Sequence, residues 1–361
     1  MAPFKKVLIC PQHWGLGHVT RTIPVIRYFL QRADQVVLAS SGAGSELLRK
    51  EFPLLQVYEL PDYGITYPFK SMYLNIGLHF IRMHVAIWKE HWAVRRICRK
   101  EGIDLIVSDA RLGASQKGIA SVIISHHLHF SLGFSFVEWC CDTWMRLFYL
   151  SFDQLWIPDL EGPVNLSGDL AHRYRSKKHY FIGALSRFRK KKLNVRYDYA
   201  FVLSGPEPQR SYLENRILDQ VARLYPSKCI LVRGSSQAPR TREELVLKYP
   251  DLEVRDLVTS EELNDIMCAS GLIVCRSGYS TLLDLYAIEK PALLIPTPGQ
   301  PEQEYLAEEL MRKKMFFMVS QDELILSRDV FLARDYAGYS IPRQQEDLHS
   351  RLDSLLAKLP R

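Results

Sequence analysis

The 361-residue sequence has no uninterrupted apolar stretch approaching the ~18 residues of a membrane-spanning helix. The N-terminal run Val7-Leu8-Ile9-Cys10, after Lys5-Lys6 and before Pro11, is too short for a signal-peptide core. A cytoplasmic chain is therefore expected. No Cys-x-x-Cys occurs. The seven cysteines are scattered, and the adjacent pair Cys140-Cys141 has no metal-ligand spacing, so reduced, mostly buried thiols are expected. The dinucleotide fingerprint Gly-x-Gly-x-x-Gly is also missing. Gly15-Leu16-Gly17 is followed by Thr20 where a third glycine would stand, which disfavours NAD or FAD, and no cofactor is expected. No zinc-finger, RRM or homeodomain pattern accompanies the net charge of +7, so nucleic acid ranks low among the anionic partners that charge favours.

What is present is a regular alternation. Short β-branched runs at Val7–Cys10, Val36–Ala39, Leu54–Glu59, Asp104–Val107 and Val122–Ser125 are separated by amphipathic stretches at 19–32, 71–100 and 134–150. The rhythm restarts at Tyr199–Leu203 and continues through Cys229–Val232, Glu253–Leu257, Leu272–Cys275, Ala292–Ile295 and Met315–Val319, with helices near 210–224, 260–268, 279–288 and 302–314. Such alternation predicts parallel sheets covered by helices on both faces. The expected architecture is α/β, two doubly wound Rossmann-like domains facing a central cleft. The expected boundaries are 1–185, a basic linker at 186–198, 199–335, and a C-terminal helical segment at 336–361 that packs back on the first domain. The linker assignment rests on Arg187-Phe188-Arg189-Lys190-Lys191-Lys192, read as a solvated charge run or as an attractor for an anionic substrate.

Ligands of doubly wound sheets bind beyond the carboxyl ends of the strands. Three constellations fall there. The first strand runs into Pro11-Gln12-His13-Trp14-Gly15-Leu16-Gly17-His18, in which Gly15 and Gly17 permit a tight turn and His18 opens a helix as a candidate general base. The first strand of the second half runs into Ser204-Gly205-Pro206-Glu207-Pro208-Gln209-Arg210, where a hydroxyl, a backbone N–H and a guanidinium suit a phosphate. Val274-Cys275 leads into Arg276-Ser277-Gly278 and then a helix carrying Thr281 and Asp284. A helix N-terminus suits a diphosphate, and a carboxylate farther along can accept from two vicinal ribose hydroxyls. Asp109, at the end of a strand, is either a loop cap or a carboxylate that orients His18. In His126-His127-Leu128-His129, an acceptor-side or loop role for His126 or His127 outweighs a metal site, and His127 is taken as the third catalytic candidate.

These residues resemble glycosyltransferase family 28, the family of the GlcNAc transferase that makes the peptidoglycan lipid intermediate. The resemblance is carried by Gly15-Leu16-Gly17-His18, Ser204-Gly205, Arg276-Ser277-Gly278 with Asp284, and Lys290-Pro291-Ala292-Leu293-Leu294-Ile295-Pro296 with Gln303 beyond. It covers residues 200–315 well and is confined mostly to the first loop and helix in the first half. It implies a GT-B fold and a UDP-sugar donor. It also implies a ribose contact by Asp284, a donor-sugar contact by Gln303, uracil reading by the backbone of Leu257-Val258, and diphosphate loops at 204–205 and 277–278. The family's usual Glu is here Asp284, and the Asn of its Gln-x-x-Asn is absent after Gln303.

The implied reaction is transfer of GlcNAc or a related hexose from a UDP-sugar to an acceptor hydroxyl, with inversion. The alternatives are a UDP-sugar 2-epimerase and a non-enzymatic nucleotide-sugar-binding protein. No Asp-x-Asp is present to place a cation on the diphosphate, so no metal is expected. Aromatic and basic residues mixed through 71–100 and 130–150 fit core helices. They also fit a peripheral contact with the inner face of a membrane that carries a lipid-linked acceptor.

Overall fold

The computed structural model describes residues 4–13, 16–64, 72–129, 135–234, 240–339 and 347–360, with 72–81 described in backbone only. The chain divides into two compact units, residues 1–185 with 343–361, and residues 186–342.

In the first unit, β1 (Lys6–Pro11), α1 (Gly17–Leu30), β2 (Gln35–Ser40), α2 (Gly42–Glu51), β3 (Val57–Glu59) and α3 (Met72–Glu101) precede β4 (Leu105–Asp109), β5 (Ala120–Ile124), α4 (Ser135–Tyr149), β6 (Gln154–Ile157), α5 (Asp169–His172) and β7 (His179–Phe181). The seven strands lie in the order β3-β2-β1-β4-β5-β6-β7, all parallel. The inner strands are apolar throughout because both sheet faces are covered. Val7, Ile9, Leu38, Val107 and Val122 meet α1 on one face, while Leu8, Val37 and Ile106 meet Val94, Ile97 and Cys98 of α3 on the other.

The second unit runs β8 (Tyr197–Val202), α6 (Gln209–Val221), β9 (Cys229–Val232), α7 (Arg242–Lys248), β10 (Leu252–Arg255), α8 (Ser260–Cys268), β11 (Ser270–Cys275), α9 (Tyr279–Ile288), β12 (Ala292–Leu294), α10 (Pro301–Arg312), β13 (Phe317–Met318) and α11 (Leu326–Leu332). Its parallel strand order is β10-β9-β8-β11-β12-β13. Both sheets thus reverse direction beside their own first strand, between β1 and β4 and between β8 and β11. That reversal opens the crevice in which ligands of this architecture sit.

Two boundaries differ from the sequence expectation. The basic run is no free linker. Phe188 is buried, Arg187 Nη1 donates to Ser260 Oγ at 2.8 Å, Lys190 pairs with Glu289, and Lys191 pairs with Asp265 and Glu261 of α8. The acidic first turn of α8 and its outer face draw the run onto the second unit. The C-terminal segment begins to serve the first unit later than residue 336, since Tyr339 still packs edge-on against Tyr286 and Phe316 of the second. From there α12 (Leu348–Leu356) adds Leu352, Leu355, Leu356 and Leu359 to the core around Val25, Ile26 and Phe29 of the first unit. Arg32 Nε fastens it by donating to Asp353 Oδ1 at 3.0 Å.

Candidate active site

At the reversal point of the first unit, parallel pairing sets Pro11 beside Asp109, and the Gln12 N–H donates to the Asp109 carbonyl at 2.9 Å. The chain then turns through Leu16, whose φ of 58° makes it the left-handed residue of the loop, a place the sequence assigned to glycine. The Leu16 N–H donates to the His13 carbonyl (3.2 Å), and its own carbonyl accepts from Thr20 to start α1. Gly17 is the first helical residue. Gly15 lies outside the described residues.

This start brings His18 Nδ1 to 2.8 Å from Asp109 Oδ1. Asp109 is wholly buried and accepts from Arg21 Nε at 2.7 Å and from Thr22 Oγ1 at 2.8 Å. Arg21 Nη2 reaches Asp109 Oδ1 as well. Burial opposes the carboxylate charge, but Arg21 and His18 outweigh it and hold the group well below the usual carboxylate range. A fully ionised carboxylate only accepts, so His18 presents Nδ1–H to it and carries its basic lone pair on Nε2. Arg21 Nη2 also approaches His18 Nδ1 to 2.8 Å. Both are then donors, so that approach is a close contact within the cluster. The spacing 18, 21, 22 on one turn of helix converges on a carboxylate at the end of the adjacent strand. A buried arginine at i+3 from the candidate base was the available signal, and the sequence reading passed over Arg21.

The histidine that joins this cluster is His126. Its Nδ1 accepts from Arg21 Nη1 at 2.9 Å, and the residue is buried just beyond β5. His127, the other candidate, lies beside it, with the two rings 5.7 Å apart between centroids. His127 is half-buried, its N–H donates to Ser125 Oγ (3.1 Å), and its carbonyl accepts from Tyr149 Oη (3.0 Å).

At the reversal point of the second unit, three strand ends converge. Ser204 and Gly205 are exposed, and Gly205 has a φ of 99°. A Cβ there would stand 3.6 Å from Thr297 Oγ1 on the loop after β12. Gly278 caps α9 with no side-chain hydrogen bond, which leaves the first-turn N–H groups as an anion-binding end. Gln303 flanks it. A Cβ on Gly278 would lie 3.9 Å from Thr281 Oγ1 and 4.0 Å from Gln303 Nε2, while Gln303 Oε1 accepts from the Thr297 N–H at 3.0 Å. One turn on, Asp284 accepts from Ser186 Oγ. Burial pushes its carboxyl up to about 6 against the opposing pull of Arg187 and Ser186.

Three side chains expected near the donor phosphates make hydrogen bonds within the protein. Arg210 is buried, pairs with Glu207 and lies 3.8 Å from Glu214, and donates to the Arg233 carbonyl at 3.0 Å. Arg276 is buried and spends its guanidinium on the carbonyls of Ile295 (3.2 Å), Pro296 (3.0 Å) and Gln209 (2.8 Å) and on Gln321 Oε1 (2.6 Å). Desolvation lowers its pKa to about 10. Ser277 Oγ donates to the Gln303 carbonyl at 2.8 Å. These side chains lace the loops together, and Gln303 joins them, its Nε2 donating to Gln300 Oε1. Leu257 is 56% exposed on the loop after β10 and Val258 packs partly into the core. Thr259 caps α8 by accepting from the Glu262 N–H, which fixes the end of that loop.

The helices rich in aromatics divide by face. Ile87, Val94 and Ile97 of α3 are buried, whereas Trp88 (63%) and Trp92 (46%) are exposed along a stripe shared with Lys89, Arg96 and Arg99. On α4, Tyr149 is buried while Phe136 (74%) and Trp139 (57%) are exposed and stack on each other. The side chains of Met72, Ile76, Phe80, Phe130 and Phe134 lie outside the described set. Among the described residues no helix is long and apolar enough to cross a membrane.

Residues 201–330 match the model of the glycosyltransferase family 28 C-terminal domain. Over 91% of this chain and 94% of its own length, a glycosyltransferase of Methanopyrus kandleri is 24% identical. The UDP-N-acetylglucosamine–N-acetylmuramyl-(pentapeptide) pyrophosphoryl-undecaprenol N-acetylglucosamine transferase of Natranaerobius thermophilus is 30% identical, but over only 30% of this chain and 32% of its own length. MurG of Acinetobacter baumannii superposes with a TM-score of 0.57 over 98% of this chain and 99% of that one, at 14% identity. The chain is a glycosyltransferase of the GT-B fold, similar to family 28 through its second unit.

Proposed function

We propose that this glycosyltransferase moves GlcNAc or a related hexose from its UDP-sugar to an acceptor hydroxyl, with inversion and without a metal ion. The observation that carries the reading is the His18–Asp109 pair at 2.8 Å, a base with its orienting carboxylate at the reversal point of the first sheet. In this reading His18 Nε2 takes the hydroxyl proton as the acceptor oxygen bonds to the anomeric carbon and the bond to the diphosphate breaks. Asp109 stabilises the imidazolium formed, as carboxylates do in comparable pairs. The leaving diphosphate gains its compensation from the N-terminus of α9 and the Ser204-Gly205 turn. Asp284 accepts from the ribose hydroxyls, the backbone at Leu257-Val258 reads uracil, and Gln303 contacts the sugar.

The acceptor in this reading is lipid-linked, and the protein meets the bilayer through the exposed aromatics of α3 and α4. The exposed faces that carry Trp88, Trp92, Phe136 and Trp139 support it, the α3 face being flanked by Lys89, Arg96 and Arg99.

The test is incubation with a panel of UDP-sugars, with and without a lipid extract, in the presence of EDTA. Release of UDP that requires the extract, with a glycosidic bond of opposite anomeric configuration, is the expected result. Release of a C2-epimerised sugar without any acceptor would overturn it in favour of an epimerase. UDP binding without turnover would overturn it in favour of a binding protein.

A further inference from the structure

The loop after β1 holds a second histidine that none of the roles above uses. His13 is three-quarters buried at the side chain, and three separate features of the fold hold it. First, α2 opens with Gly42 and Gly44, and a Cβ on Gly44 would come within 2.7 Å of His13 Cβ. Second, Ser41 Oγ lies 2.9 Å from His13 Nδ1. Third, Arg111, itself wholly buried, places Nη2 at 2.6 Å from the same Ser41 Oγ. Its Nε and Nη1 donate to the carbonyls of Pro11 (3.1 Å) and Pro61 (3.2 Å), binding the β1 end to the loop after β3.

Arg111 can only donate, so Ser41 Oγ accepts from it and keeps its own O–H to donate to His13 Nδ1. In that tautomer His13 carries its proton on Nε2. That atom faces Asp62 Oδ2 at 3.4 Å, and Asp62 is more than half exposed. A contact this long to an exposed carboxylate contributes little to folding, so stability does not account for the His13–Asp62 pairing.

We propose that His13 and Asp62 form a hydroxyl-recognising pair for the acceptor, taking a neutral polyhydroxylated group such as a sugar. The proposal rests on the transferase reading for the word acceptor and on the His13 geometry for the rest. A hydroxyl can accept from Nε2–H and donate to the carboxylate at once, matching both members. A phosphate finds one donor and one repelling anion.

The experiment titrates [15N]histidine-labelled full-length protein with N-acetylglucosamine and, separately, with inorganic phosphate. The His13 ring signal is identified by its loss in His13→Gln. It should report the Nε2–H tautomer, move with the sugar and stay still with phosphate. In Asp62→Ala the apparent affinity for the sugar should fall roughly tenfold, the worth of one hydrogen bond to a charged group. Asp62→Asn, which keeps an acceptor oxygen, should recover part of the loss. A His13 signal that answers to phosphate, one that ignores the sugar, or an Asp62→Ala protein that binds sugar like the parent would each overturn the pair. UDP calorimetry on the same variants shows that the second unit is intact. UDP release by the parent protein tests the transferase reading separately. A parent protein that releases no UDP yet moves its His13 signal with sugar would sink that reading and leave the pair standing.

Discussion

Arg21 Nε donates to Asp109 Oδ2 at 2.7 Å, and neither side chain meets solvent to any useful extent. A buried carboxylate stripped of its guanidinium is an uncompensated charge, which typically costs about 3–5 kcal/mol. Arg21→Met should therefore destabilise the first unit by that order in urea unfolding. Arg21→Met combined with Asp109→Asn should be markedly more stable than Arg21→Met alone, because the orphan charge is gone. A double variant no more stable than the single one would show that the pair is not coupled.

His18→Ala removes the base and should lower kcat by about 10²–10⁴, the usual contribution of a positioned general base. UDP affinity should hardly change, since the groups proposed for the donor belong to the second unit. Asp109→Asn keeps a hydrogen-bond partner for Nδ1 but not the charge, and should fall between the parent and His18→Ala. Turnover near the parental value in His18→Ala would move the base assignment to His126.

Asp284 titrates at about 6, raised chiefly by burial. Unfolded carboxyls titrate near 3.9, so between roughly pH 4 and pH 6 the native chain holds a proton that the unfolded chain has lost. Stability contributed by this group is then present at low pH and is lost as pH rises through about 6. Asp284→Asn should raise the melting temperature at pH 7 and show little advantage at pH 4. UDP affinity should run the other way, weakening in the parent as pH falls below about 6, and reduced roughly tenfold by Asp284→Ala at pH 7. Calorimetry with UDP across that range checks both. Unchanged affinity in Asp284→Ala would remove Asp284 from the ribose role.

The exposed aromatics make the membrane reading testable without a known acceptor. Co-sedimentation with anionic vesicles should be strong at low salt and decline as salt rises, because exposed charges are screened over ~8 Å at physiological ionic strength. Replacing Trp88, Trp92, Phe136 and Trp139 by serine should abolish it with little change in UDP binding. A parent protein that stays in the supernatant at low salt would leave the donor site untouched and point to a soluble acceptor.

Gly205 offers a test of the turn itself. Its φ of 99° is open to glycine and strained for other residues. Gly205→Ala should weaken UDP binding with the rest of the second unit still folded, as followed by calorimetry and circular dichroism. Parental affinity would show that the loop at 204–205 does not approach the donor.

The alternating pattern by itself determined the two doubly wound sheets, because strands buried on both faces must be continuously apolar and their connecting helices must be amphipathic. It marked α8 and α9 at their observed bounds, 260–268 and 279–288. It passed over α2, α7 and α11 and the short strands β6 and β7, where Gln154 and His179 break the apolar run. The positions of His18, Asp109, Gly278 and Asp284 were legible because strand ends and helix starts face the ligand edge in this topology. Which charges are spent was not legible. Arg210 and Arg276 look like phosphate ligands in one dimension, yet Arg210 pairs with Glu207, and Arg276 bonds loop carbonyls as distant in sequence as that of Gln209, 67 residues away. Arg21, His126 and the Ser41–His13 cradle gain their meaning only when β1, β4, β5 and α2 lie side by side. A hydrogen bond has a direction and a length near 3 Å, and only the folded chain fixes which donor faces which acceptor.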